Sequence, residues 1–264
     1  MHTLRFADVA TAARSPPPSR GPLQGAPRDA LWGAVIAPHP LPAGSIVVPS
    51  LALPDDPPRR YRWSLVADGA RWTLPDVPAR PVPPSSRSAT GDARVTLHVD
   101  CFHVHQPLAD PALVVALEGP ALPTRYLAAG SARPLSIDPV PGPGARAGRT
   151  EAPPAISQMA ADADLRARIC SPTSVAMLLA ARGGTSQWPT IVDECRDPAT
   201  GMYGVWPLAI AAAARRGVLG AVETFSRWHE PLAVLARGIP LVASIRYESG
   251  ELPGAPLART GGHL

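Results

Sequence analysis

The segment RARICSPTSVAMLLAARGG, residues 166–184, carries the clearest helix signal in the chain. Ser171 followed by Pro172 is typical of a helix start, because a serine oxygen can cap first-turn amides and proline needs no amide partner there. The glycines at 183–184 are expected to end the helix. Cys170 then stands directly before the helix. Its thiol is either a nucleophile whose thiolate the helix start stabilises, or a small apolar side chain buried at the boundary.

More helices and then strands are predicted after this segment. WPLAIAAAARRG predicts a second helix, with Pro207 near its start and Gly217 after its end. HEPLAVLARG predicts a short third helix that ends at Gly238. IPLVASIRY predicts a buried strand, ESGE the turn after it, and GGHL the beginning of the next strand. Helices followed by strands, without regular βαβ alternation, indicate an α+β domain.

The first half of the chain has a different composition, because it holds 27 of the 35 prolines within residues 1–154. Proline interrupts helices, so long helices are not expected there. The strand-forming runs are LWGAVIA, SIVV, YRWSLV, RWTL, ARVTLHV, PALVVAL and RYLAAG. In ARVTLHVDC the apolar residues from Val95 to Cys101 alternate with polar ones, which predicts one half-buried strand. Short strands separated by Pro, Gly and Asp turns predict a β-sandwich-like domain.

These patterns divide the chain into four parts. We expect a disordered N-terminal segment at 1–28, a β-rich domain at 29–138, a Pro/Gly linker at 139–154 and an α+β domain at 155–264. Trp32, Trp63 and Trp72 of the β-rich part are expected in its core rather than on a ligand platform.

Composition and charge limit the possible functions. The net charge is +4, every basic residue is an arginine, and the arginines are scattered, so a nucleic-acid-binding face is not expected. Three widely spaced cysteines do not form a disulfide framework and favour a reducing compartment. The N-terminal sequence lacks a signal-peptide core and no run is long enough to span a membrane. We therefore expect a cytoplasmic protein, or an exported one if the true start codon lies upstream.

A thiol nucleophile needs a base and a group that stabilises the oxyanion. His263 follows two glycines at a predicted strand start, and His229 begins the third predicted helix. A base at a strand start opposite a helix-borne thiol is common in cysteine peptidases, although a lone histidine is more often structural. Gln158 precedes Cys170 by twelve positions, and a side-chain amide there could donate to an oxyanion.

Taken in order, Gln158, ICSPTSVAMLLA, YGVWP, IPLVASIRY and GGHL resemble the bacteriocin-processing-type cysteine peptidases. The closer resemblance is to their standalone bacterial relatives, which have a papain-like fold. The resemblance covers about residues 155–264. It implies that Cys170 attacks a peptide carbonyl, that His263 is the general base, and that Gln158 helps to form the oxyanion hole. It implies a peptide or protein substrate and no cofactor or metal.

In that family an Asp or Asn after the histidine orients it, but here only Leu264 follows His263. The expectation is therefore a papain-like domain that is incomplete at its C-terminus, with weak or no activity. Three alternatives remain open: a pseudo-peptidase that binds peptides without cutting them, a cell-wall peptide amidase, or a protein whose β-rich half is the working part.

Other candidates carry less weight. Tyr203 and Trp206 could line a substrate groove, but packing against the first helix is favoured. Cys195 lies in a stretch that predicts a polar loop, where it has no expected role. CFHVH supplies Cys101, His103 and His105, and an H-x-H pair can bind metal; solvent-exposed structural histidines are favoured because no further ligand cluster is evident.

Overall fold

The chain is described by a computed structural model in which strands dominate the first half and helices the second. The structure describes residues 2–7, 31–36, 40–54, 59–78, 91–118, 125–134, 150–183, 187–223, 225, 228–255 and 257–264. The strands of the first half are β1 His2–Ala7, β2 Leu31–Ile36, β3 Ser45–Ala52, β4 Tyr61–Ala67, β5 Ala70–Thr73, β6 Val95–Leu97, β7 Phe102–Val104, β8 Ala112–Glu118 and β9 Leu127–Pro134. The second half contains a short 3-10 helix Gln158–Ala160, then α1 Cys170–Ala180, α2 Trp188–Glu194, α3 Trp206–Arg215, α4 His229–Ala236, β10 Ile245–Tyr247 and β11 Thr260–His263. Helices and strands together agree with the α+β class.

The strands of the first half form two antiparallel sheets. One has the order β1-β9-β3-β7-β6 and the other the order β2-β8-β4-β5. Side chains of both sheets share one apolar core, which includes Val47, Leu51, Trp63, Trp72, Phe102, Leu113 and Val115. Two antiparallel sheets that enclose one core form a sandwich-like arrangement, called the sandwich below. Trp63 and Trp72 are buried in it as expected, whereas the side chain of Trp32 lies outside the described part.

Side-chain alternation explains how the strands build this core. In β8, Leu113, Val115 and Leu117 are buried while the residues between them are half-buried. β3 differs, because nearly all of its side chains are buried and it must therefore be covered on both faces. Val47 and Leu51 point into the sandwich, whereas Val48 and Ser50 point to the opposite face.

The single strand predicted over residues 95–101 is wrong. The segment is a hairpin in which β6 and β7 pair, with Leu97 opposite Phe102. The His98 amide donates to the Cys101 carbonyl at 2.9 Å and closes the turn between the two strands. Period-two alternation continues by chance through the turn residues, so the pattern alone does not reveal the reversal.

The helical half has a small core of its own. Ala176 and Leu179 of α1 pack with Ile191 of α2 and with Ala209 and Ala212 of α3. Helix α2 is not predicted by the sequence analysis, which treats the stretch around Cys195 as a polar loop. Cys195 is instead fully buried in this core, directly after α2. Of the polar residues that suggested a loop, Asp193 is exposed and Glu194 half-buried on α2, whereas Arg196 and Asp197 follow the helix.

The strand predicted for IPLVASIRY is much shorter and more exposed than expected. Only Ile245–Tyr247 forms β10, which pairs antiparallel with β11. Ile239 and Ile245 are exposed by 41% and 38%, and of this strand only Tyr247 is buried. A strand exists only where its backbone groups are paired, and the ladder extends no further than these residues. A strand is present where GGHL predicts one, but β11 begins at Thr260 and His263 is its last residue.

The two halves pack directly against each other. Helix α3 lies on the outer face of β3, where Ala52 and Leu127 of the sandwich meet Ile210 and Ala214 of the helix. The hydroxyl of Ser50 accepts a hydrogen bond from the Val222 amide at 3.2 Å. This contact explains why β3 is buried on both faces.

The N-terminal strand β1 lies inside the segment for which disorder is expected, and it pairs with β9. The rest of that segment up to residue 28, and most of the predicted linker, lie outside the described residues. No described helix has the length and apolar character that crossing a membrane requires.

Candidate active site

Cys170 is the first residue of α1. The helix begins two residues earlier than the sequence predicts, with Ile169 rather than Ser171 in the N-cap position and no side-chain cap. The expectation that Ser171 caps the helix is therefore wrong. Ile169 is completely buried, and its carbonyl accepts the Thr173 amide at 3.1 Å, which starts the helix at this point. Cys170 is thus within the first turn, where backbone amides lack partners inside the helix.

The three thiols have different surroundings. Cys170 and Cys101 are half-buried, whereas Cys195 is buried. Burial raises the pKa of Cys195 to about 12, and the neighbouring Glu194 carboxylate adds to the effect. Burial also raises the pKa of Cys101 to about 12, with a further contribution from the adjacent Asp100. Only a thiolate is an effective nucleophile, so Cys101 and Cys195 are poorly suited to this role.

Gln158 lies in the short 3-10 helix before α1. Its side-chain amide Nε2 donates to the carbonyl of Arg166 at 2.6 Å, four residues before Cys170. The contact joins the Gln158 turn to the segment that leads into α1. The part of Gln158 in an oxyanion hole stays a prediction.

His263 lies in β11, and its backbone is in register with Ile245 of β10. Its side chain is outside the described part of the chain. His229, the other candidate base, is exposed at the first residue of α4. The assignment of His263 as the base stays a prediction.

Tyr203 supports the residues next to Cys170. It is buried, and it packs with Ile169 and Val192. The guanidinium of Arg168 lies 5.4 Å from the centre of the Tyr203 ring and donates to the carbonyl of Gly201 at 2.8 Å. These contacts agree with the packing role favoured for Tyr203 over a place in a substrate groove.

Trp206, the other groove candidate, is the half-buried first residue of α3. Its amide donates to Asp100 Oδ2 of the sandwich at 3.2 Å. Burial raises the pKa of Asp100, while the hydrogen bond from Trp206 acts in the opposite direction. The sequence carries no signal for this contact, because the partners are 106 positions apart.

Three acidic residues that precede His263 in the chain are Asp193, Asp197 and Glu251. Asp197 is buried, and its Oδ2 accepts the Thr200 amide at 2.8 Å, which closes the loop before Tyr203. Asp193 and Glu251 are exposed.

The CFHVH stretch, residues 101–105, contains the end of the β6–β7 turn and strand β7. The rings of His98 and His103 lie 4.0 Å apart, and His105 Nε2 is 2.7 Å from Thr96 Oγ1. Among the described residues, His, Cys, Asp and Glu side chains do not form a group of three or more that could hold a metal ion.

Comparison with protein families gives one match. Residues 151–264 match the model of the Peptidase_C39 like family. The matched region includes Gln158, Cys170 and His263, and the match supports a cysteine peptidase-like function for this part of the chain. No curated protein and no solved structure matches the chain.

Proposed function

We propose that the region 151–264 hydrolyses peptide bonds by thiol catalysis, with Cys170 as the nucleophile. The observation that carries the proposal is the position of Cys170 as a half-buried residue in the first turn of α1, inside the matched region. A helix N-terminus favours the thiolate because its free amides and the helix dipole carry partial positive charge. The other two thiols are held in the protonated form by burial.

The reaction divides into two steps. The sulfur of Cys170 attacks the peptide carbonyl while His263 takes the thiol proton and then gives it to the leaving amine. Water next attacks the thioester, which releases the acid and restores the thiol. In both steps Gln158 and the backbone amide of Cys170 stabilise the oxyanion. A peptide or protein is the substrate, and the reaction needs no cofactor.

A second candidate function is peptide binding without cleavage. It is favoured by the hydrogen bond from Gln158 Nε2 to the Arg166 carbonyl, because one of the two amide protons is already used by the chain itself. A pseudo-peptidase of this kind would bind peptides at the same place and release them unchanged.

The two functions are separated by mass spectrometry of a mixed peptide pool incubated with the full chain. Peptide hydrolysis predicts new termini that disappear in Cys170→Ser. The matched control is Cys101→Ser, the same atomic change at a thiol whose pKa is raised to about 12, and it is expected to keep the activity. Cleavage that persists in Cys170→Ser would contradict the proposal. Retention of peptides without new termini would favour the binding function.

A further inference from the structure

Both ends of helix α3 are held by side chains of the sandwich. At the N-terminal end, Asp100 Oδ2 accepts the amide of Trp206 at 3.2 Å. At the C-terminal end, the guanidinium Nη2 of Arg125 donates to the carbonyl of Gly217 at 3.1 Å. An anion at a helix N-terminus and a cation at its C-terminus both interact favourably with the helix dipole. The sandwich therefore matches α3 in charge as well as in shape.

The side of the helix is also covered. Ile210 and Ala214 pack on Ala52 and Leu127 of the sandwich, and Ser50 binds the Val222 amide just beyond the helix. Three kinds of contact (apolar, polar and charged) thus place α3 on the outer face of β3. The outer face of β3 is therefore occupied by α3.

The N-terminal end of α3 is connected to the residues next to Cys170. Val205 is buried in the N-cap position of α3, and two residues earlier Tyr203 packs against Ile169. Ile169 immediately precedes Cys170 in the chain. The connection from Asp100 to the start of α1 therefore runs through the part-buried hydrogen bond to the Trp206 amide, the backbone from Trp206 to Tyr203, and the buried contact of Tyr203 with Ile169.

We infer that the β-rich half is a platform for α3, and that Asp100 is a positioning residue for the Cys170 thiol. This inference rests on the proposed function, and it assigns to the sandwich a part in that function. Asp100 acts through the Trp206 amide and Tyr203, and it does not touch the substrate. Arg125 contacts the same helix at its C-terminal end, away from Trp206.

The test measures the rate at which iodoacetamide alkylates Cys170 in the full chain as a function of pH, with the melting temperature as a measure of stability. Asp100→Ala is expected to slow alkylation at neutral pH by about three- to tenfold and to shift the dependence of the rate on pH towards higher pH. The reason is that the start of α1 loses its support. Asp100→Asn keeps an oxygen acceptor and is expected to recover part of the rate. If Asp100→Ala does not fold, Asp100→Asn replaces it, with a smaller loss of the same sign.

Arg125→Gln is the matched control, because it removes a hydrogen bond from the other end of α3. It is expected to lower the melting temperature while changing the alkylation rate by less than about twofold. An unchanged rate in the Asp100 variants would overturn the inference. Equal changes in the Asp100 and Arg125 variants at equal loss of stability would also overturn it, since the contacts would then be only structural. Alkylation does not require turnover, so failure of the hydrolysis proposal would be seen separately, as absence of peptide cleavage by the unmodified chain.

Discussion

At the scale of single residues, the three cysteine thiols differ in their surroundings. Cys195 lies in the helical core and Cys101 lies beside a carboxylate, and burial is the main reason why the pKa of each is raised. Cys170 is the one placed in a first helical turn. The proline at 172 removes an amide that would otherwise need a partner, which makes this a favourable place to begin a helix.

Glu194 is the residue that ties the ends of α2 and α3 together. Its Oε2 lies 2.6 Å from Nη2 of Arg215 and 2.6 Å from Nη1 of Arg216. Burial acts to raise the pKa of Glu194, but the hydrogen bonds from Arg216 and Arg215 outweigh it and lower the pKa below its usual value. The bonds therefore stabilise the fold above the unfolded pKa, and that stability is lost as the pH falls through the folded value.

We predict that Glu194→Gln lowers the free energy of unfolding by about 1–2 kcal/mol at neutral pH, because it weakens a charged network in a part-buried site. Urea unfolding measures the change. The exposed Asp193→Asn on the same helix is the matched control, with an expected effect within about 0.5 kcal/mol. A Glu194→Gln variant as stable as the original chain at neutral pH would show that the network does not hold the helices.

At the scale of secondary-structure elements, the β6–β7 hairpin carries two neighbouring histidines, His98 and His103. It also carries Asp100, which contacts helix α3. Burial lowers the pKa of His103, and the nearby His98 and His105 lower it further. A lowered histidine pKa means that the fold prefers the neutral ring. The resulting stability is present above the unfolded value of 6.5 and is lost as the pH falls through the folded value.

We therefore predict that the melting temperature falls between neutral pH and about pH 5.5, and that His103→Gln makes this fall smaller. Thermal unfolding followed by circular dichroism at several pH values measures both slopes. His229→Gln on α4, where the ring is exposed, is the control and should leave the slope unchanged. An identical slope in the His103 and His229 variants would contradict the assignment.

Several elements are predictable from the sequence because local chemistry decides them. Pro207 and Gly217 mark the ends of α3, and Gly217 adopts a φ of +77° as the residue after the helix. The start of α1 is missed by two residues, because the burial of Ile169 by distant residues outweighs the preference of serine for a cap. The β6–β7 turn and the Asp100–Trp206 contact are not predictable from local patterns, since each depends on which strands and helices come together.

The candidate site also has a part that local sequence patterns predict and a part that depends on tertiary packing. Helix signals and order along the chain predict Cys170 and Gln158 as site residues, and the structure joins Gln158 to the segment before Cys170 by a hydrogen bond. The buried position of Tyr203 below this segment depends on tertiary packing with α2, a helix that the sequence analysis does not predict.

At the scale of the whole molecule, the two halves share an apolar cluster and hydrogen bonds across it. We predict that the chain unfolds in a single cooperative transition, because neither half can lose its structure without exposing the face that covers the other. Calorimetry tests this through the agreement of calorimetric and van't Hoff enthalpies. Ile210→Ala should move the whole transition to lower temperature. Two resolved transitions, with only one shifted by this variant, would contradict the prediction.

The proposed role of Cys170 as the reactive thiol is tested by alkylation of the native full chain with iodoacetamide at neutral pH. Mass spectrometry of the digested protein gives a separate rate for each cysteine. Cys170 is expected to react at least about tenfold faster than Cys101 and Cys195, because thiolate character and access control the rate. Comparable rates at all three cysteines, or faster reaction at Cys101 or Cys195, would contradict it.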